Sequence, residues 1–262
     1  MSHENESKTA GNQSAEKALR ILEYLADQGE PLRLMDIAQA MGMNNSTTLR
    51  FLTTLASAGY VAQEEDTSKY YLTYKIVALG HKVSDGKQLP HIVSPYLKKI
   101  SETLRESVCL AVEQNAQVVY VDVKEGPSQI VKAMQRIGNI APLHCTGIGK
   151  LLLLNYSETQ LDDLIRERGL QKFTPYTLTT KEALLYELNE VRQKGYAVDN
   201  EECEIGARCI AFPVYDYTQK VIAGISVTGP AIRITDAFAA KWEHYMRQMT
   251  QQISARLGWG VK

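Results

Sequence analysis

The residues with the most chemical potential lie in the second half of the chain, where His144, Cys145, Asp199, Cys203 and Cys209 supply an imidazole, three thiols and a carboxylate. A thiol next to an imidazole suggests a cysteine-dependent hydrolase, with one group as nucleophile and the other as base. His144 and Cys145 are immediate neighbours, however, and on an extended strand neighbours point to opposite faces, which argues against that dyad. The same thiols, with Asp199, also allow a metal or redox sensor using Cys145, Cys203 and Cys209, although their spacing follows no standard zinc pattern. Gly147-Ile148-Gly149-Lys150 matches a phosphate loop only in part. The Walker pattern needs Gly at position 144 and Ser or Thr at 151, where this chain has His and Leu. Neither a catalytic residue, a cofactor nor a metal ligand set is therefore expected, and the chain is not read as an enzyme.

A different chemistry is available near the start. A helix predicted over 45–58, capped by Asn44 or Asn45, has Leu49, Leu52, Leu55 and Ala56 as its apolar stripe, and Ser46, Thr47, Arg50, Thr53, Thr54 and Ser57 opposite. By itself such a polar face is only a solvated surface. Its surroundings give it more meaning. An amphipathic helix from Ala15 ends at Gly29 and Pro31, and a short helix over 34–41 ends at Gly42. Helix, short helix, glycine turn and longer helix make a helix-turn-helix, whose second member enters the major groove. Residues 60–63 and 69–73 then read as two strands around a polar turn, a wing. No acidic residue falls between Asp36 and Glu64, so the helix that would face phosphate carries no repulsive charge. Cationic contacts are few, namely Arg50, Lys69 and Arg33. One copy should bind DNA weakly, and useful affinity calls for a homo-oligomer, dimer or tetramer, on a repeated site.

Bulk properties agree with this picture. A chain of 262 residues, 44% hydrophobic and 23% charged with net charge −1, is of ordinary globular composition, and its length favours two domains. Four cysteines without a CxxC pair point to reduced thiols rather than a disulfide framework. Neither a signal peptide nor an apolar stretch long enough for a membrane span is present, so a cytoplasmic protein with no membrane partner is expected.

In the second half, β-branched runs at 108–113 and 117–123 meet at Asn115-Ala116 as a hairpin would. A second pair covers 208–215 and 220–229. Helical patterns occupy 157–168, 181–194 and 235–257, giving an α+β class in which hairpins, not crossovers, link the strands. Alternation puts Ala207, Cys209 and Ala211 on one face and Ser226 and Thr228 on one face of the partner strand. Small side chains leave room, hydroxyls supply polarity, and the amides of Thr146-Gly147-Ile148-Gly149, ahead of a helix over 150–154, suit a carboxylate. The glycines would serve equally well for close packing alone. Asp199 is the odd member. A carboxylate there favours a hydroxylated ligand, or is itself protonated.

The chain resembles the IclR family of bacterial regulators from about residue 15 to 257. The resemblance is carried by Ser46-Thr47-Thr48-Leu49-Arg50-Phe51-Leu52-Thr53-Thr54-Leu55, by Pro142-Leu143-His144-Cys145-Thr146-Gly147-Ile148-Gly149-Lys150, by Gly195-Tyr196-Ala197-Val198-Asp199-Asn200-Glu201-Glu202, and by Gly206-Ala207-Arg208-Cys209-Ile210-Ala211-Phe212-Pro213-Val214. Asn45 stands where the family often has lysine, which replaces a phosphate contact by a possible contact to adenine. The resemblance implies a winged helix-turn-helix, a helical linker and a GAF-like effector-binding domain, an antiparallel sheet flanked by helices. It implies a metabolite pocket lined by Gly147, Ile148, Asp199, Ala207, Cys209, Ala211, Ser226 and Thr228, with Ile130 and Ala133 completing an apolar wall.

The expected organisation is a flexible tail over 1–14, a DNA-binding domain over 15–74, a linker over 75–90 and an effector domain over 91–262. DNA contacts are expected from Asn45, Ser46, Thr47, Arg50, Thr54 and Lys69. The expected function is a metabolite-responsive regulator, a repressor of a catabolic operon, with operator DNA and a small oxygen-rich carboxylate as partners.

Overall fold

The protein is described by a computed structural model covering residues 12–84, 88–126 and 136–260. It divides into two compact units, Met1–Gly86 and Lys87–Lys262.

In the first unit, α1 (Gln13–Gln28) starts two residues earlier than its apolar pattern indicates. The reason is Asn12, whose side chain accepts the amides of Ser14 and Ala15 at 3.0 and 3.2 Å. Gly29, at φ +67°, ends it in the left-handed conformation that glycine adopts without strain. After α2 (Leu34–Ala40) and the turn at Gly42 comes α3 (Asn45–Ser57), capped by Asn44, which accepts from Thr47 N at 2.8 Å. The stripe of α3 differs from the expected one. Leu49 is 42% exposed and Ala56 is also exposed, whereas Thr48, Leu52 and Leu55 are buried. Thr48 is buried at low cost because its hydroxyl donates to Asn44 O at 3.1 Å. Leu52 and Leu55 pack with Ile21, Leu25, Ile37, Val61 and Tyr70. The wing is β1 (Val61–Gln63) paired with β2 (Tyr70–Leu72), and Leu32 adds a bridge to Tyr70.

Next comes α4 (Lys75–Ser84), whose first turn is tied to the end of α3. Lys75 Nζ donates to Ala58 O at 2.6 Å and lies 4.5 Å from the centre of the Tyr60 ring. Thr73 Oγ1 donates to Gly59 O at 2.6 Å.

The second unit opens with α5 (Gln88–Leu104), so the expected 75–90 linker is two helices, the second belonging to the larger unit. Val93, Leu97, Ile100 and Leu104, spaced at helical intervals, are buried against the sheet. The hairpin β3 (Ser107–Gln114) and β4 (Gln117–Lys124) turns at Asn115 and Ala116, both with positive φ, as a two-residue hairpin turn requires. Then follow β5 (Ile140–Ala141), α6 (Gly147–Leu153), α7 (Glu158–Arg168), α8 (Lys181–Lys194), β6 (Ala197–Asn200), β7 (Ala207–Tyr215), β8 (Val221–Pro230) and α9 (Asp236–Arg256). The sheet order is β5-β4-β3-β8-β7-β6, with every pair antiparallel.

Strand alternation gives this sheet two apolar faces. Val108, Leu110, Ile210, Phe212, Ile225 and Val227 pack with α5 and α9, while Cys109, Ala111, Val118 and Ala211 pack with α6, α7 and α8. The result is the expected α+β arrangement of an antiparallel sheet flanked by helices. Among the described residues no helix is long and apolar enough to cross a membrane.

Candidate functional site

The first unit presents the polar face of α3. Asn45, Ser46, Arg50 and Thr54 are exposed, and Thr47 and Lys69 are half-buried. Two of the hydroxyls are already engaged: Ser46 Oγ donates to Asn44 Oδ1 at 2.9 Å, and Thr54 Oγ1 donates to Arg50 O at 2.9 Å. Their oxygens remain free to accept, but their protons are held by the helix, which narrows the set of phosphate donors. The helix α1 was expected, but not as part of this surface. Its first turns border a cleft of about 530 Å³ lined by Gln13, Ser14, Lys17, Thr47, Arg50 and Thr54. Lys17 thereby joins Arg50 at one concavity, adding a cation that its helical pattern gave no reason to single out.

The second unit contains a cavity of about 60 Å³ between α6, β6, β7 and β8. Seven of the expected residues line it: Gly147, Ile148, Asp199, Ala207, Cys209, Ser226 and Thr228. Ala211 lies behind it, against Gly147, where a side-chain carbon added to the glycine would come within 3.0 Å of Ala211 Cβ and of Cys209 Sγ. Ile130 and Ala133 fall outside the described residues. Thr146, expected for its loop amides, and Cys203, expected only as one of a thiol cluster, line it too, together with Tyr120, Glu204 and Arg208, which were not anticipated. Strand alternation, extended to Tyr120 opposite Ala111 and so on the face that Cys109 and Ser226 share, would have found the tyrosine.

The glycines of α6 do not form an open anion loop. Gly147 and Gly149 are helical, so the helix begins at 147 and not 150. The amide of Gly149 donates to the cap Thr146 Oγ1 at 3.1 Å. A side-chain carbon at Gly149 would lie 2.2 Å from Leu143 O. Close packing is what both positions require.

Burial dominates the electrostatics here. The carboxyl of Asp199 is pushed up to about 7 by burial, opposed by the Glu202 amide, which donates to its Oδ1 at 2.8 Å. Burial also raises the thiols of Cys109, to about 12, and of Cys209. Lys150 is 1% exposed yet charged. Burial would lower its pKa, but Glu202 Oε1 at 2.6 Å and Glu187 Oε1 at 2.9 Å more than offset that, and Val198 O accepts a third bond at 2.8 Å. Glu202 is itself raised by burial against the pull of Lys150.

The chemistry of a nucleophilic dyad is absent, for a reason other than strand alternation. His144 and Cys145 lie in a turn, where His144 Nε2 is 3.0 Å from Gln171 O and burial lowers the ring's pKa, so a neutral imidazole donates there. The neighbouring Cys203 and burial together push the Cys145 thiol up. Among the described residues no three His, Cys, Asp or Glu side chains are gathered as metal ligands would be.

Comparison with known proteins places this geometry. Residues 14–65 match the IclR helix-turn-helix domain, and residues 81–255 match the C-terminal domain of the bacterial transcriptional regulator IclR. The chain belongs to the IclR family of bacterial transcriptional regulators. Membership makes it a DNA-binding regulator and not an enzyme. Among IclR relatives, the HTH-type transcriptional regulator XynR of Escherichia coli K12 is 34% identical over 247 residues, covering 94% of this chain and 98% of XynR. The HTH-type transcriptional repressor AllR of the same strain is 32% identical over 249 residues, covering 95% and 91%. The crystal structure of Thermotoga maritima IclR matches with a TM-score of 0.63 at 29% identity, over 94% of this chain and 99% of that one.

Proposed function

We propose that this IclR-family regulator is a repressor, as its relative AllR is by name, whose hold on operator DNA is set by a small oxygen-rich metabolite in the cavity bounded by Asp199, Cys209, Ser226 and Thr228. The observation that carries the assignment is the small, partly open cavity itself, where hydroxyls, an ionisable carboxyl and small side chains converge. A carboxylate-bearing ligand is accommodated when Asp199 is protonated, and a ligand hydroxyl when it is not. Sugar acids, keto-acids, hydroxy-acids and aromatic acids are the classes to screen.

Asn45, Ser46, Thr47, Arg50, Thr54 and Lys69 make the DNA contacts in this proposal, joined by Lys17. So few cations require paired copies, and Tyr74, Val77 and Leu79, which are 88%, 62% and 52% exposed along and just before α4, offer an apolar surface for pairing. The clamp of Lys75 on the end of α3 gives movement of α4 a direct route to the recognition helix. A ligand acts only through its different affinity for the DNA-competent and DNA-incompetent arrangements. A DNA-binding protein of this kind works in the cytoplasm.

The test is selection of duplexes from a random library by the full-length protein, followed by anisotropy titration of the enriched duplex. A repeated or palindromic site, lost on Arg50→Ala, is expected. Failure to enrich any sequence contradicts the assignment.

A further inference from the structure

The strand β6 has two faces, and the effector cavity uses only one of them. Asp199 lines that cavity, whereas Val198 and Asn200, which alternate with it, line a larger cleft of about 450 Å³ bordered by β6, β7, α8 and the start of α9. Asn200 is paired with Arg208 of β7, so the two stand side by side on the same face of the sheet. Four carboxylates line the cleft, those of Glu187, Glu190, Glu202 and Asp236, against the two cations Lys194 and Arg208.

Two of these groups are incompletely used. Glu202 is 6% exposed; its Oε1 accepts from Lys150 at 2.6 Å, while its Oε2 is buried and has no hydrogen-bond partner among the described residues. Arg208 donates from Nη1 to Ile234 O at 3.0 Å and pairs through Nη2 with Asp236 at 2.5 Å, but its buried Nε has no partner there either. Among the described residues these are the two buried side-chain atoms left in that condition, and both belong to residues of this one cleft. Unpaired buried polar atoms are costly, and an acceptor and a donor in one cleft are satisfied together by a ligand that carries both functions.

We propose that this cleft is a second small-molecule site, which takes a hydroxylated amine of the amino-sugar or amino-alcohol class. The ammonium group donates to Glu202 Oε2 and is drawn by the excess of carboxylates, and a hydroxyl oxygen accepts from Arg208 Nε. A neutral polyol makes the second contact without the charge attraction, and an acid is repelled by the same carboxylates. The preferred charge is thus opposite to that of the acids proposed for the smaller cavity. Glu202 also connects the two sites, because its amide donates to Asp199 Oδ1 at 2.8 Å. That connection rests on the effector reading of the smaller cavity; binding in the cleft does not.

Isothermal titration of the full-length protein with glucosamine, glucose and N-acetylglucosamine tests the proposal. Saturable binding of glucosamine, about tenfold or more tighter than that of either uncharged sugar, is expected. Glu202→Gln keeps the shape of the side chain, and Glu190→Lys reverses a charge outside the Lys150 network; each should weaken glucosamine by about tenfold or more. Ser226→Trp, which fills the smaller cavity, should leave glucosamine binding unchanged. The proposal is overturned if glucosamine does not bind saturably, binds no better than glucose, or keeps its affinity in Glu190→Lys. Loss of binding in Ser226→Trp overturns it as well, since the amine would then occupy the effector cavity. Circular dichroism checks the fold of Glu202→Gln, and if that variant is unfolded the test stands on Glu190→Lys. Failure of every acid to bind, with glucosamine still bound, would count against the effector reading and not against this site.

Discussion

The two helices that frame the functional regions, α3 and α6, begin with the same device and end in opposite environments. Asn44 caps α3 by accepting from Thr47 N, and Thr146 caps α6 by accepting from Gly149 N. Past the cap, α3 keeps a polar face in water, whereas all the residues of α6 are buried. One local rule thus serves two purposes, and environment decides which. On α3, Arg50 is an exposed cation available to a polyanion. On α6, Lys150 is locked by Glu202, Glu187 and Val198 and holds the β6 end of the cavity in place. Mutations on α3 should change DNA binding with little effect on folding, and those around α6 should change folding or ligand response first.

The largest effect that would sharpen this contrast comes from Lys150→Met. Removing one partner of a buried ion pair strands the other, and a loss of about 3–5 kcal/mol is expected by denaturant titration. A loss no larger than that of a surface substitution would erase the contrast.

Next comes Asp199→Asn, whose effect depends on pH. A carboxyl raised on folding lends the wild type stability at low pH, and this is lost as pH rises through about 7. Relative to the asparagine variant, wild-type stability should fall by up to about 4 kcal/mol between about pH 4 and pH 8. Melting curves at several pH values check this, and a pH-independent difference would show that burial does not control this carboxyl.

Arg50→Ala should weaken operator binding by about 1–3 kcal/mol and leave the melting temperature unchanged. The smallest effect is that of Asn44→Ala, about 1 kcal/mol of stability lost with the cap. If it abolished DNA binding while leaving stability intact, Asn44 would be a contact and not a cap.

The folding grammar was legible wherever one residue decides a local event. Gly29 and Gly42 mark helix ends, and the 181–194 pattern coincides with α8. The phase of α3 was less legible, because Thr48 reads as polar until its bond to Asn44 O is seen. The helix α5 was hidden by Pro90 and Pro95, which argue against a helix although Val93, Leu97, Ile100 and Leu104 outweigh them by packing on the sheet. At the cavity, alternation placed Cys209, Ser226 and Thr228 correctly, since strand direction is a local property. Lys17, Tyr120, Cys203 and Arg208 come from elements whose meeting depends on tertiary structure. The packing role of Gly147 and Gly149 was likewise undecided until Leu143, Ala211 and Cys209 were seen against them.

The central claim is that occupancy of the cavity in the second unit controls DNA binding by the first. It is tested most directly by operator anisotropy of wild type, Ser226→Trp and Arg50→Ala, with and without the acid that most raises the wild-type melting temperature in a thermal-shift screen. Ser226→Trp, which fills the cavity, should bind operator as wild type does and ignore the acid; Arg50→Ala should lose operator affinity while its melting temperature still rises with the acid. Equal loss of both activities in both variants would contradict the two-site account.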